Sequence, residues 1–261
     1  MILAIDIGNT NIVIGGIDGE RTYFIERVTT VRTGTELEYA IDIKNVLDIY
    51  GIAPDEIEGG IVCSVVPQIT NVLKTAAQKI LRKSVMVVKP GMETGLNILM
   101  DFPKQLGSDL VADAVAGITH YPVPQIIFDL GTATTVCVID EKKNYIGGMI
   151  YPGLQVSLDA LTAHASQLQG VGLESPGKVI GKNTIDCMKS GILNSNAAAM
   201  DGIIGRIEKE LGQKTTVLAT GGLADKVAPL CEREVILDRD LLLKGMLEIY
   251  RRNTKEISDV T

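Results

Sequence analysis

Ile2-Leu3-Ala4-Ile5-Asp6-Ile7-Gly8-Asn9-Thr10-Asn11, followed at once by Ile12-Val13-Ile14-Gly15-Gly16, decides how the rest of the chain is read. Apolar residues run into an acid, a glycine and three small polar side chains before a second apolar run begins. The pattern predicts two antiparallel strands joined by a tight polar hairpin. Asp6 stands where the first strand ends, Gly8 lets the backbone approach a ligand, and Asn9, Thr10 and Asn11 offer donors at the turn. Such a hairpin suits phosphate oxygens and a divalent cation. A single copy would equally read as an ordinary Asn/Gly turn.

The motif occurs twice. Ile126-Ile127-Phe128-Asp129-Leu130-Gly131-Thr132-Ala133-Thr134-Thr135-Val136-Cys137 repeats strand, acid, glycine, small polar residues and strand in the same order. A repeat at about half the chain length predicts two related domains facing each other, each contributing one phosphate hairpin. Taken alone, either acid could simply close its hairpin as an Asx-turn.

Working outward, Thr22 to Val28 completes a three-strand meander. Thr35-Glu36-Leu37-Glu38 has the form of a capping box, and Leu37, Ile41, Ile43, Leu47 and Tyr50 then recur at near-helical spacing up to Gly51. An apolar strand from Gly60, a helix through Ile69, Leu73, Ala76 and Ile80, and a strand at Val85 follow. The second half repeats that order. Tyr145–Ile150 completes its meander, helices start at Ser157 and Thr184, and strand Thr216–Thr220 runs into Gly221-Gly222. The run from Asp238 to Tyr250 forms a closing helix, with fraying expected from Thr254. Gly191 and Asn194-Ser195-Asn196 are expected to interrupt the Thr184 helix. Prolines near His120 to Pro124 place the boundary, giving domains 1–120 and 121–261.

Composition excludes several classes. The chain has 261 residues, 46% of them apolar, enough to bury one or two cores. A formal net charge of −7 argues against a nucleic-acid partner. No stretch is long enough to cross a membrane, and the start lacks the basic flank of a signal peptide. Cys63, Cys137, Cys187 and Cys231 show neither zinc nor disulfide spacing, which fits a reducing cytoplasm.

Five ordered motifs carry a family resemblance: Asp6-x-Gly8-Asn9-Thr10-Asn11, Asp129-x-Gly131-Thr132-Ala133-Thr134, Gly147-Gly148-x-Ile150-x-Pro152-Gly153, Val179-Ile180-Gly181-x-Asn183-Thr184 and Ala219-Thr220-Gly221-Gly222. In this order they resemble type III pantothenate kinases, members of the actin, sugar-kinase and heat-shock ATPase superfamily. The resemblance runs from residue 1 to about Asn253. It implies an α/β fold of two duplicated actin-like (ribonuclease H-like) domains with an interdomain nucleotide cleft. It also implies ATP-dependent phosphorylation of pantothenate's primary hydroxyl, the first step towards coenzyme A, in a homodimer using Mg2+ and a monovalent cation, K+ or NH4+.

Carried over residue by residue, the resemblance gives Asp6 to Mg2+ and Asp129 to the monovalent cation. Gly8, Asn9, Thr10, Asn11, Gly131, Thr132 and Thr134 join Asp6 at the nucleotide, with Thr135 beside them. Gly221 and Gly222 would leave bare backbone against its ribose or base. Asp109, in Gly107-Ser108-Asp109-Leu110, resembles the aspartate of a Gly-x-Asp-Arg motif that takes the alcohol's proton. The same Ser-Asp pair also reads as a plain helix cap, where the helix dipole would keep the carboxylate ionised.

The departures cluster on the acceptor side. Gly107, Ser108, Asp109, Leu110 and Ala165 fall at the substrate-binding positions, but Leu110 replaces an arginine and cannot supply a charged fork of donors. Ala165 and Ser166 stand where the family has Thr-Ala, the threonine being a pantothenate contact, and Gln169 replaces a proline. Pantothenate should then bind weakly unless His164, Ser166 or Lys104 compensates. Two other readings remain open: a kinase of the same superfamily for a different small alcohol, and a non-catalytic nucleotide-binding regulator. The apolar stripe on the Thr184 helix, from Ile185 to Leu211, fits packing within one domain or a twofold interface.

Overall fold

The computed structural model describes residues 1–19, 21–165, 167–175 and 177–258. In chain order the first half forms β1 (Ile2–Ile7), β2 (Asn11–Ile17), β3 (Thr22–Thr29), α1 (Glu36–Ile49), β4 (Gly59–Ser64), α2 (Pro67–Leu81), β5 (Val85–Val87), β6 (Asn97–Ile98) and α3 (Ser108–His120). There follow β7 (Gln125–Leu130), β8 (Ala133–Ile139), β9 (Asn144–Pro152), α4 (Leu154–His164), α5 (Thr184–Leu211), β10 (Thr216–Thr220), α6 (Ala224–Val227), β11 (Ile236–Leu237) and α7 (Leu241–Ser258). Contacts divide the chain into two compact units. One comprises Met1–Leu96, Asp101–Thr119 and the chain from Asp240 onward; the other comprises Asn97–Met100 and His120–Arg239.

The first unit holds a five-stranded sheet in the order β3-β2-β1-β4-β5. Side chains alternate along β1, so Leu3, Ile5 and Ile7 pack with Ile43 and Leu47 of α1 and Ile69 and Leu73 of α2. Ile2 and Ala4 belong to the opposite cluster, with Ala112 and Val115 of α3 and Leu243, Met246 and Ile249 of α7. By the same alternation Asp6 falls on that second face. A Cβ on Gly245 would lie 1.8 Å from the Ala112 carbonyl oxygen, so a glycine is what allows α7 to lie this close to α3.

Two expectations are corrected here. The closing helix α7 belongs with the first unit, because its apolar side covers the second face of the first sheet. Its backbone is helical to Ser258, where Asn253 Nδ2 donates to the Glu93 carbonyl at 2.9 Å, and the final residues expected to fray, 259–261, lie outside the described residues. On α1 the capping box forms, Thr35 Oγ1 accepting from Glu38 N while Glu38 accepts from Thr35 N. The buried face, however, is Tyr39, Ala40, Ile43, Val46 and Leu47, leaving Leu37, Ile41 and Tyr50 exposed.

The second sheet runs β11-β10-β7-β8-β9-β6. Without β6 it reproduces the first sheet's order. The likeness extends to detail: β1 and β7 share one burial pattern, in which the acid is the single half-buried residue. Both meanders bulge late in the middle strand, between Gly16 and Ile17 and between Val138 and Ile139.

α5 is one helix of 28 residues, uninterrupted at Gly191 or Asn194–Asn196. The asparagines are tolerated because Asn194 and Asn196 each donate to the carbonyl one turn back, those of Ser190 and Ile192. Its apolar stripe is mainly internal, since Met188, Leu193, Met200 and Ile204 pack with Phe128 and Leu158, while Ile185 is exposed. α4 starts at Leu154, three residues before the expected Ser157, with Gly153 at the N-cap position.

Near the end of α5 the buried Glu208 accepts from Arg233 at 2.8 Å, Lys214 at 2.9 Å and Thr215 N at 3.1 Å. Burial alone would raise its carboxyl, but these donors and the Arg233 charge hold it down at about 2. Among the described residues no helix is long and apolar enough to cross a membrane.

Candidate functional site

In the first unit, Gly8 N donates to Asn11 O at 3.0 Å and closes the β1–β2 turn. A Cβ on Gly8 would lie 2.9 Å from that same oxygen, so a side chain would open the turn. Asn9, Thr10 and Asn11 are exposed at the tip. Thr30, just past β3, braces the tip by donating its hydroxyl to Gly8 O at 2.7 Å and its N–H to Thr10 O at 3.0 Å. Arg32 donates to Asn9 Oδ1 at 3.2 Å and brings a guanidinium to the turn. The motif pattern gives no hint of Thr30 or Arg32, because their places follow from the end of β3 lying beside the hairpin.

Asp109 is assembled from three elements. Asp6 at the end of β1 is in register with Cys63 on the parallel strand β4. One residue on, Ser64 is clasped by α3: Ser108 Oγ accepts from Ser64 N and donates to Ser64 O, both at 3.1 Å. Ser64 Oγ in turn lies 2.7 Å from Thr70 Oγ1 on α2. The clasp sets the start of α3 against the carboxyl ends of β1 and β4, the position at which parallel sheets bind ligands. Ser108, counted among the substrate-binding residues, therefore has its hydroxyl engaged with backbone.

The half-buried carboxylate of Asp109 accepts from Leu110 N at 2.9 Å. A Cβ on Gly107 would meet its Oδ1 at 2.3 Å, so a side chain there would turn the carboxylate aside. Burial pushes the Asp109 carboxyl above the ordinary aspartate range, and the backbone donors offset this only in part. Desolvation thus opposes the charged form that the helix dipole favours. Burial also drives the Cys63 thiol well up, with the charges of Asp6, Asp109 and Asp113 adding to it against a hydrogen bond from Ser108. Three carboxylates therefore act on one spot between β1, β4 and α3.

The second unit's hairpin is built differently. Gly131 N donates to Ala133 O at 3.1 Å and Gly153 N donates to Thr132 O at 3.1 Å. A Cβ on Gly153 would come within 2.4 Å of Gly131 O, so the Pro152-Gly153 motif serves the turn. Thr132 is exposed at the tip. Thr134 points inward, fully buried and in register with Tyr151, and its hydroxyl is not presented to a ligand as expected. Asp129 pairs in register with Thr135 on β8 and with Thr220 on β10. Gly221 adopts φ +93°, and a Cβ there would sit 2.3 Å from Asp129 Oδ1. Gly222 follows it, exposed.

On the acceptor side, Leu110 is half-buried next to Asp109. Ala165 caps α4, its N–H donating to Leu161 O at 3.0 Å. Lys104 and His164 are exposed, and Ser166 lies outside the described residues. Thr184 lines an apolar cavity of about 300 Å³ with Leu161, Leu168, Cys187, Met188 and Ile192.

Among the described residues no group of three or more His, Cys, Asp or Glu converges to hold a metal ion alone. The oxygen donors nevertheless fit the two implied cations. Mg2+ keeps most of its waters and is held by one or two carboxylates with substrate phosphates, which a single strand-end Asp6 can supply. Thr135 Oγ1, shielded and without a hydrogen-bond partner among the described residues, stands across the ladder from Asp129 and adds a neutral oxygen suited to a monovalent cation.

A model of the type III pantothenate kinase family matches residues 2–206. The chain is 44% identical over 255 residues to the type III pantothenate kinase of an Exiguobacterium species, covering 98% of this chain and 100% of that one. The chain belongs to the type III pantothenate kinase family. The enzyme of the same name from Halalkalibacterium halodurans is 41% identical over 253 residues, covering 97% of this chain and 100% of that one.

In fold, the chain is similar to the activator of the 2-hydroxyisocaproyl-CoA dehydratase from Clostridium difficile solved with bound ADPNP. The TM-score is 0.58 at 17% identity, over 99% of this chain and 96% of that chain. As a type III pantothenate kinase, the chain has Leu110 directly after Asp109 and Ala165 at the end of α4.

Proposed function

We propose that this chain transfers the γ-phosphoryl group of ATP to the primary hydroxyl of pantothenate, the first step towards coenzyme A. The observation that carries the reading is Asp109, a desolvated carboxylate that follows the Ser108–Ser64 clasp, where β4 pairs with the end of β1 that carries Asp6. A base works best when its affinity for protons approaches the operating pH, and burial moves Asp109 in that direction. The alcohol donates its hydrogen bond to Asp109. As the new O–P bond forms and the bond to the departing ADP oxygen breaks, the proton passes to the carboxylate.

The exposed tips supply phosphate donors: Asn9, Thr10 and Asn11 with Arg32 from one repeat, and Thr132 from the other. Asp6 would hold Mg2+, while Asp129 and Thr135 would hold K+ or NH4+. These cations supply neutralising charge to the phosphates when bound. Gly221 and Gly222 leave open backbone for the nucleoside. The free cysteines fit a cytoplasmic protein, and exposed Val179, Ile180 and Ile185 fit a homodimer face.

A second reading, the same chemistry on another small alcohol, is favoured by Leu110 and Ala165. A regulator without catalysis is disfavoured, since it has no use for a desolvated base. The test is ADP release with ATP, Mg2+ and K+, with and without pantothenate. Pantothenate-dependent release that is lost in Asp109→Asn supports the proposal. Release with other small alcohols but not pantothenate would favour the second reading.

A further inference from the structure

We infer that Arg27 is a phosphate-binding residue, a guanidinium that β3 holds towards the nucleotide's phosphates on the face of the first sheet that carries Asp6. This rests on the kinase reading only in taking ATP as the ligand, and it adds a residue that lies outside both hairpin motifs.

Strand register fixes where Arg27 stands. Arg27 on β3 pairs with Val13 on β2, Val13 pairs with Asp6 on β1, and Asp6 pairs with Cys63 on β4. Opposed residues on neighbouring strands share a face, so these four form one row across the sheet. The face is the one that α3 and α7 cover at Ile2, Ala4, Ile17 and Ile61.

That cover stops just short of the row. Ala4, Gly15 and Ile25 make up the row before it. There α7 presses so close that a Cβ on Gly15 would meet Leu243 Cδ1 at 2.4 Å, and Ile25 packs against the same cluster. One row on, Asp6 and Val13 are half-buried and Arg27 is exposed. The row after that sets Asn11 opposite Thr29, both exposed. The uncovered strip therefore runs from an acid over a short apolar side chain to a guanidinium, flanked by an amide and a hydroxyl.

Such a strip suits a phosphate chain. Arg27 is about 10 Å from Asp6 across two strand spacings, and a long side chain spans much of that interval above Val13. An anion lying over Val13 meets the guanidinium, whose planar fork matches pairs of phosphate oxygens. Among the described residues Arg27 has no hydrogen-bond or ion-pair partner, so its five donors are uncommitted. The neighbouring acid does not cancel it, because Glu26 falls on the opposite face and accepts from Tyr50 at 2.7 Å. A chain of net charge −7 needs a local cation to hold a triphosphate, and Arg27 supplies one on the face of Asp6.

The test measures ATP binding with Mg2+ by calorimetry in the parent, Arg27→Ala and Arg27→Lys, without acceptor. Arg27→Ala should weaken ATP by about tenfold or more, the scale of one charged hydrogen bond, with the Tm of the ligand-free protein unchanged. Arg27→Lys should recover part of the loss, since it keeps the charge without the paired donors. ATP affinity should also fall less steeply with salt in Arg27→Ala than in the parent. If Arg27→Ala does not fold, Arg27→Gln serves with the same expectations.

Unchanged ATP affinity in a folded neutral variant would overturn the inference and leave Arg27 as a charge that guards an edge strand. A loss of affinity with the salt dependence of the parent would overturn it too, by placing the effect in the fold. Both results leave the kinase reading intact. ATP binding that depends on Arg27 but brings no turnover of pantothenate would support the inference while the kinase reading failed, and a parent that binds no ATP would overturn both.

Discussion

The β1–β2 and β7–β8 hairpins share a strand order, a burial pattern and a bulge position, yet the two acids they present live in different chemistry. Asp6 is in register with a buried thiol and next to a helix that delivers a second carboxylate. Asp129 is in register with two threonines and pressed by the backbone of Gly221. Duplication preserved what apolar alternation dictates, the sheet and its register. The side chains at the strand ends, which packing does not fix, diverged into one repeat that carries a base and one that offers neutral oxygens.

This contrast predicts unequal consequences for matched substitutions. Asp109→Asn should lower pantothenate-dependent turnover by about 10³-fold, the scale of a lost general base. The acid limb of the parent's pH–rate profile should lie above the ordinary aspartate range, because the base must be deprotonated and burial raises its carboxyl. Asp129→Asn should leave that limb in place and alter the dependence on K+ instead. An acid limb that shifts equally in both variants would erase the distinction between the repeats.

The turn after the fourth strand of each repeat, β4 and β10, offers a second comparison. Gly221→Ala forces a side chain into φ +93° and into Asp129 Oδ1 and Leu130 N, at 2.3 and 2.7 Å. A cost of about 3 kcal/mol in denaturant unfolding is expected from the strain and overlap combined. Ser64→Ala, at the matching place in the first unit, should cost only about 1 kcal/mol for hydrogen bonds lost. Equal costs would mean that the second turn is not specially constrained.

Much of this architecture was legible in the residues, for identifiable reasons. The Asp6 and Asp129 segments declare themselves because apolar runs, an acid and a glycine in fixed order leave little else to build. Where reading failed, the deciding contact lay far off in sequence. The owner of α7 is set by an uncovered sheet face more than 200 residues upstream, with Gly245 admitting it against α3. Thr134 looked like a phosphate donor until strand pairing turned it inward opposite Tyr151. The dipole at the start of α3 was visible, whereas the burial that works against it at Asp109 was not. Leu37 and Ile41 matched a helical spacing, but another stripe of α1 had more surface to cover.

The second unit also carries a charge device that lacks a described match in the first. Glu208→Gln should cost about 2 kcal/mol near neutral pH, since a buried carboxylate holding Arg233, Lys214 and Thr215 is replaced by a weaker acceptor. Its folded value of about 2 lies below the ordinary 4.5, so the unfolded chain binds the proton more readily. The contribution is therefore complete above about pH 4.5 and disappears as pH falls towards 2. Parent and variant stabilities should converge in that window, and a gap that persists at pH 2 would locate the effect elsewhere.

The smallest expected effect sharpens the comparison most, because it concerns the clasp found in the first repeat. Ser108→Ala removes one hydroxyl that serves both Ser64 N and Ser64 O, at a cost to folding of about 1 kcal/mol. If the clasp only stabilised the fold, turnover of the folded protein would be unchanged. If it positions Asp109, kcat should fall by about tenfold with the KM for ATP unaltered, since a slightly misplaced base weakens the chemical step and not nucleotide binding. The acid limb should also move down as water reaches the loosened carboxylate and relieves its desolvation. Ser108→Thr keeps an Oγ at the same place and should restore both properties. An unchanged kcat and pH limb in Ser108→Ala would leave α3 positioned by its packing against β1, β4 and α7 alone.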